Sequence, residues 1–160
     1  MRRMSARQRG RSEKNMLKAV IDVNLFVSAV ISKKGNPAKL LQLWRGRAFL
    51  VVISEQMIEE LERVLRYPRV RTKYNLKDED IGLAVGVIKK FAIVLPDLIK
   101  LNVIKEDPDD NKVLACALAA QADYIVSGDN HLLDLGVFEN IPIVTVKGFI
   151  ANFTASEPEF

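Results

Sequence analysis

The 160-residue chain is of single-domain size, 49% hydrophobic, with a formal net charge of +4, one cysteine and one histidine. A single cysteine excludes an internal disulfide, and a single histidine excludes zinc sites built from several Cys or His ligands, which points to a reducing, cytoplasmic setting. No apolar run reaches the ~20 residues that span a bilayer and the N-terminus lacks a signal-peptide core, so a soluble, intracellular protein is expected.

The charge is concentrated at one end. Residues 1–15 carry Arg2, Arg3, Arg7, Arg9, Arg11 and Lys14 against Glu13, a net +5, which leaves 18 bases against 19 acids elsewhere. Lacking apolar periodicity, this stretch is expected to be a disordered extension. It reads as a solvated tail, as an extension upstream of a start at Met16, or as a nucleic-acid arm. The body, taken as residues 16–153 with a tail at 154–160, is not basic overall. Attraction to phosphates must therefore come from a local patch, a bound metal or the extension.

From Leu17 onward, short apolar runs alternate with helical periods. KAVID (18–22) predicts a buried strand, LFVSAVIS (25–32) and PAKLLQLWRGR (37–47) helices, and FLVVIS (49–54) a second strand. EQMIEELERVLRY (55–67) carries a helical stripe in Ile58, Leu61 and Leu65, which Pro68 is expected to end. The polar stretch RVRTKYNLKDED (69–80) reads as a connector, with Arg69, Arg71 and Lys73 as a candidate phosphate-contact surface.

A helix over IGLAVGVIKKF (81–91) leads to a third strand, AIVL (92–95). IKLNVI (99–104) reads as an edge strand or an extended loop. Next come a helix in NKVLACALAAQA (111–122), a strand YIVS (124–127), a short helix HLLDL (131–135), a strand IPIVTV (141–146) and a last helix near GFIANF (148–153). Strands of continuous Val, Ile and Leu between amphipathic helices predict a three-layer α/β/α domain around a central parallel sheet. Such sheets place ligand sites beyond the carboxyl ends of their strands, where Asp22 and Asp129 would sit.

Several acidic residues exceed what local structure requires. Asp22 ends a strand before a helix and could be a plain N-cap, worth ~1 kcal/mol. Asn24 and Ser28, four apart on the following helix, lie on one face pointing back to the same strand end, as polar groups that would support a site. On the helix from Glu55, at 100° per residue, Glu59 points to solvent, whereas Glu60 and Glu62 flank the apolar stripe and either could border a site. In DPDDN, Asp107 can cap and Pro108 can open the helix, yet Asp109 and Asp110 go beyond a single cap. Asp110 lies near the stripe of Val113, Leu114, Ala117 and Leu118 and can turn toward the sheet end.

SGDN after a strand is also an ordinary turn sequence. His131 reads as a helix-start residue and Cys116 as a small core residue. Two carboxylates ~5 Å apart repel by roughly 3 kcal/mol at an effective dielectric of 20, so a site holding several takes up protons or divalent cations.

Taken in order, VIDVNLFVSA, ISEQMIEEL, DPDDNKVLACALAAQADYIVSGDNHLL and IPIVTVKGFI resemble the PIN-domain family of metal-dependent ribonucleases, over about Leu17 to Phe153. The ordered set is specific, although no single piece is. The chain looks most like the bacterial and archaeal branch associated with toxins of toxin–antitoxin pairs.

The resemblance implies an α/β/α fold and an RNA substrate. It also implies Mg²⁺ or Mn²⁺ held by Asp22, Glu60, Asp110 and Asp129 for phosphodiester hydrolysis, with 5′-phosphate and 3′-hydroxyl products. It selects Glu60 over Glu62, matches Asn24 and Ser28 to the polar residues after the first acid, and brings a cognate antitoxin and a homodimer as expected partners. Val23 departs from the pattern, standing where the family usually has Thr.

A solitary RNA-processing nuclease and a non-catalytic RNA-binding module are the alternatives within this fold. Phosphoryl-transfer proteins of the receiver or haloacid-dehalogenase type are disfavoured, because DVN lacks the second Asp of D-x-D and no strand ends in the required Lys. P-loop and dinucleotide motifs are absent.

Overall fold

A computed structural model of the chain describes residues 16–96 and 108–154. The expected extension at 1–15, the segment IKLNVI and the cap at Asp107 lie outside the described residues. Six strands form one sheet: β1 (Lys18–Ile21), β2 (Leu50–Ser54), β3 (Ile93–Leu95), β4 (Tyr124–Val126), β5 (Val137–Phe138) and β6 (Ile141–Val144). Their order is β3-β2-β1-β4-β6-β5, parallel except for the β5–β6 pair. With eight helices among the described residues, this is the three-layer α/β/α arrangement that the apolar strand runs predict.

The strands are continuous apolar runs because both sheet faces are covered. Ala19, Val20, Ile21, Val51, Val52, Ile53, Ile125 and Val126 are all essentially inaccessible. From β1 the chain passes through α1 (Val23–Ile31) and α2 (Asn36–Arg45) to β2, then through α3 (Glu55–Leu65), α4 (Pro68–Tyr74) and α5 (Asp78–Phe91) to β3. It then returns by α6 (Pro108–Ala120), which packs on β1, β2 and β4. That return puts β4 on the far side of β1 from β2, so the order reverses at β1 and opens a crevice at the carboxyl ends of β1 and β4.

Two local departures from the sequence reading have plain causes. The stretch read as a connector after Pro68 is helical: Pro68 opens α4 at its first position rather than only ending α3, and Asn75, left-handed at φ 51°, closes it. Arg71 and Arg66 both bind the Asp78 carboxylate, at 2.9 and 3.0 Å, tying α4 and the end of α3 to α5. Of the suggested phosphate contacts, Arg71 is thus engaged within the fold, while Arg69 and Lys73 are exposed. The hairpin strand β5 was not foreseen. Glu139 and Asn140 both have positive φ, the two-residue turn geometry that suits a tight hairpin, but a Glu in that turn is a weak sequence signal.

The chain continues through α7 (Asn130–Leu135) and closes with α8 (Val146–Thr154). Phe149 of α8 is fully buried, edge-on to Phe49 at 4.9 Å and to Tyr124 at 5.4 Å, with Phe153 stacked on Phe49. Phe149→Ala is expected to cost about 3–5 kcal/mol, seen as a lower denaturant midpoint. A loss below 1 kcal/mol would mean that α8 is dispensable to the core.

Candidate functional site

Asp22 sits one residue beyond β1, and strand register decides what faces it. Ile21 pairs with Val126, so Asp22 and Ser127 are the next positions along β1 and β4, and the Asp22 N–H donates to the Val126 carbonyl at 2.9 Å. Ser127, fully buried, donates its hydroxyl to Asp22 Oδ2 at 2.7 Å. The backbone N–H of Asn24 reaches Oδ1 at 3.3 Å, so Asp22 caps α1 as well. A cap is commonly exposed, but this carboxylate is only 5% exposed.

The same hydroxyl organises Asp129, whose N–H donates to Ser127 Oγ at 2.9 Å. Asp129 in turn caps α7, accepting from the His131 N–H at 2.7 Å. The Ser127 side chain is therefore a hinge pin between two of the four predicted acids. Sequence reasoning passed over it, because a Ser in SGDN looks like turn chemistry. Its position at the end of a buried parallel strand was the available signal.

Glu60 lies in the middle of α3. Helix phase separates the acids of α3 as follows: Glu59 is exposed, Glu62 pairs with Arg66 at 3.1 Å, and Glu60 is 7% exposed. Its Oε1 is buried with no hydrogen-bond partner among the described residues. Burial, then the charge of Asp109, raise its pKa from the ordinary 4.5 to about 8; Lys112 opposes the rise, and a hydrogen bond with Asp109 and the charge of Asp22 add to it. Lys112 holds Asp109 from the other side at 3.0 Å.

Asp110, on the first turn of α6, is 3% exposed. Its Oδ2 lies 3.9 Å from Nδ1 of His131, which is 3.8 Å from Oδ1 of Asp129. One potential ligand atom from each of these three residues falls within 4.8 Å of the other two. His131 does occupy the start of a helix, as the sequence suggests, and its imidazole also stands between two acids.

Three of the four acids are linked by contacts, Asp22 to Asp129 through Ser127 and Asp129 to Asp110 across His131, whereas Glu60 lies beside Asp109 and feels Asp22 only through its charge. The supporting roles expected of Asn24 and Ser28 look different in detail. Asn24 contributes its backbone N–H, and the Ser28 hydroxyl donates to the Asn24 carbonyl at 3.0 Å. Val23 is buried in the core, and the hydroxyl that meets Asp22 comes from Ser127, just past β4, instead of from the next residue.

The donor set is mostly carboxylate oxygen, with a buried oxygen left over at Glu60, and that suits a hard divalent cation. Cys116 is buried and its thiol is pushed up to about 12 by burial, which removes it as a nucleophile.

Comparison with known proteins agrees with this geometry. The family model described as PIN domain matches residues 18–131. An uncharacterized protein of the archaeon Methanocaldococcus jannaschii is 30% identical over 123 residues, 77% of each chain. The chain belongs to the PIN domain family.

Two outcomes follow from the geometry. The folded state holds the Glu60 proton more tightly than the unfolded chain does, so metal-free protein should lose stability as pH rises from about 4.5 toward 8. Glu60→Gln should remove that loss, stabilising the metal-free fold at pH 8 by ~1–3 kcal/mol, whereas a flat pH profile in the wild type would show that Glu60 escapes burial. Ser127→Ala should destabilise by roughly 1.5–3 kcal/mol in chemical denaturation; a change within 0.5 kcal/mol would mean that the Asp22 bond is not made in solution.

Proposed function

We propose that this PIN domain is a Mg²⁺- or Mn²⁺-dependent endoribonuclease, with Asp22, Glu60, Asp110 and Asp129 as its metal-holding and catalytic residues. The observation that carries the reading is the buried Glu60 Oε1, in the field of Asp22 and Asp109 and with no hydrogen-bond partner among the described residues. Lys112 offsets that field only in part, the pKa still standing at about 8, and a divalent cation would offset the rest. Membership of a family whose members are generally nucleases supports the same conclusion.

When bound, a divalent cation would lower the pKa of the attacking water and neutralise charge developing on the phosphate. The chain's own contribution is positional. Ser127 and the Asn24 N–H hold both oxygens of Asp22, and the His131 N–H holds Asp129, so two of the four carboxylates are oriented before substrate arrives. Orientation set by the fold need not be recreated during the reaction, which is where preorganised polar groups gain their effect.

At finer resolution we read the protein as the cytoplasmic toxin of a toxin–antitoxin pair, with an antitoxin segment covering the acidic cleft and a homodimer as the working assembly. Among the described residues no helix is long and apolar enough to cross a membrane. An adjacent gene for a small DNA-binding protein would favour the toxin, and its absence a solitary RNA-processing nuclease. Val23 is buried in the core and Asp22 takes a hydroxyl donor from Ser127, which supports the catalytic reading over a non-catalytic RNA-binding module.

Mixed single-stranded and structured RNAs incubated with Mn²⁺, Mg²⁺ or EDTA test the proposal. Wild type should cut only with metal. Asp22→Asn and Asp110→Asn should lose a hundredfold or more while folding normally, and Glu59→Gln should stay within about twofold. Cleavage in EDTA, or full activity in Asp110→Asn, would overturn the assignment.

A further inference from the structure

The four acids could be served by Mg²⁺ alone, but the structure adds a donor of another kind. Nδ1 of His131 stands 3.9 Å from Asp110 Oδ2 and 3.8 Å from Asp129 Oδ1. Neighbouring ligands around an ion with ~2.1 Å bonds are about 3 Å apart and opposite ligands about 4.2 Å. The two separations fall between those limits, so small side-chain rotations would bring all three atoms onto one ion. His131 is half-exposed on the first turn of α7 and its backbone N–H is already bound to Asp129. The backbone is fixed while the ring keeps freedom to turn.

We propose that His131 supplies a nitrogen ligand to the acidic site and biases it toward a first-row transition ion such as Mn²⁺ over Mg²⁺. The inference rests on the metal-site reading above and deepens it. Glu60, 7% exposed with its Oε1 unpartnered among the described residues, lies beside Asp109, the chain neighbour of Asp110, and is an independent sign that a cation is held next to this cluster. The selectivity follows from donor chemistry. Mg²⁺ is hard, prefers oxygen and gives up water reluctantly, whereas imidazole is a good donor to first-row transition ions. A site of carboxylates alone would not discriminate in this way.

The chain has one histidine, which makes the test unambiguous. Tag-free protein would be loaded with Mn²⁺ and examined by pulsed electron paramagnetic resonance for ¹⁴N coupling, alongside Mn²⁺ and Mg²⁺ affinities by titration calorimetry. The expected result is imidazole ¹⁴N coupling in wild type and its loss in His131→Ala. That variant should bind Mn²⁺ about tenfold more weakly, with Mg²⁺ affinity changed less than twofold.

If wild type binds Mn²⁺ and Asp110→Asn weakens it, yet no ¹⁴N coupling is seen and His131→Ala binds as wild type does, the nitrogen ligand is refuted and the acidic site stands. If wild type binds neither ion, both readings fail together.

Discussion

The structure is governed by the cost of holding three carboxylates out of water at one end of a sheet. Asp22, Glu60 and Asp110 are each at least nine-tenths buried, and their charges lie close enough for Asp22 to act on Glu60. Desolvation and mutual repulsion both oppose that arrangement. Asp22 is compensated by a hydroxyl and an N–H, and Asp109 by Lys112. Glu60 has its pKa raised to about 8 by burial, Asp109 and Asp22, with Lys112 opposing the rise. Local choices that oppose stability while the rest of the fold supports it are the usual mark of a site kept for chemistry.

That burden is sustained by sheet register. The central strands β1 and β4 are apolar runs covered on both faces, and polar groups begin one residue past their ends: Asp22 after Ile21 and Ser127 after Val126. The β1–β4 pairing makes Asp22 and Ser127 neighbours, and a slip of one residue would send the Asp22 carboxylate to the other side of the sheet. The reversal of strand order at β1 supplies the crevice, while α3 and α6 carry Glu60 and Asp110 to it. The aromatic cluster around Phe149 lies apart from these acids in the chain and anchors the last helix.

The fold was largely legible because its signals are additive. Five of the six strands and most helices follow from runs of Val, Ile and Leu and from helical periodicity. β5 is two residues long with an atypical turn, and α4 is a surface helix with no buried residue, so periodicity had nothing to report. Asp22 and Asp110 stood out because carboxylates in excess of capping are conspicuous, and the structure buries both. Glu60 and Glu62 could not be separated by spacing, since both flank the stripe; packing separates them, with Glu62 drawn to Arg66. Ser127 was read as the end of a strand and part of a turn sequence, and His131 as a helix-start residue; Ser127 follows β4 directly and His131 does start α7. Their further contacts depend on pairings between segments that no single stretch of sequence contains.

The Val23 position shows what such a limit means physically. Read along the chain, an apolar residue beside the first acid is a missing hydroxyl. In the folded protein that side chain enters the core, where a hydroxyl would need a buried partner of its own. Asp22 accepts its hydroxyl from a residue 105 positions away. A departure from a family pattern is therefore judged by which atoms meet the carboxylate, and here Asp22 has a hydroxyl donor while the core gains a buried valine.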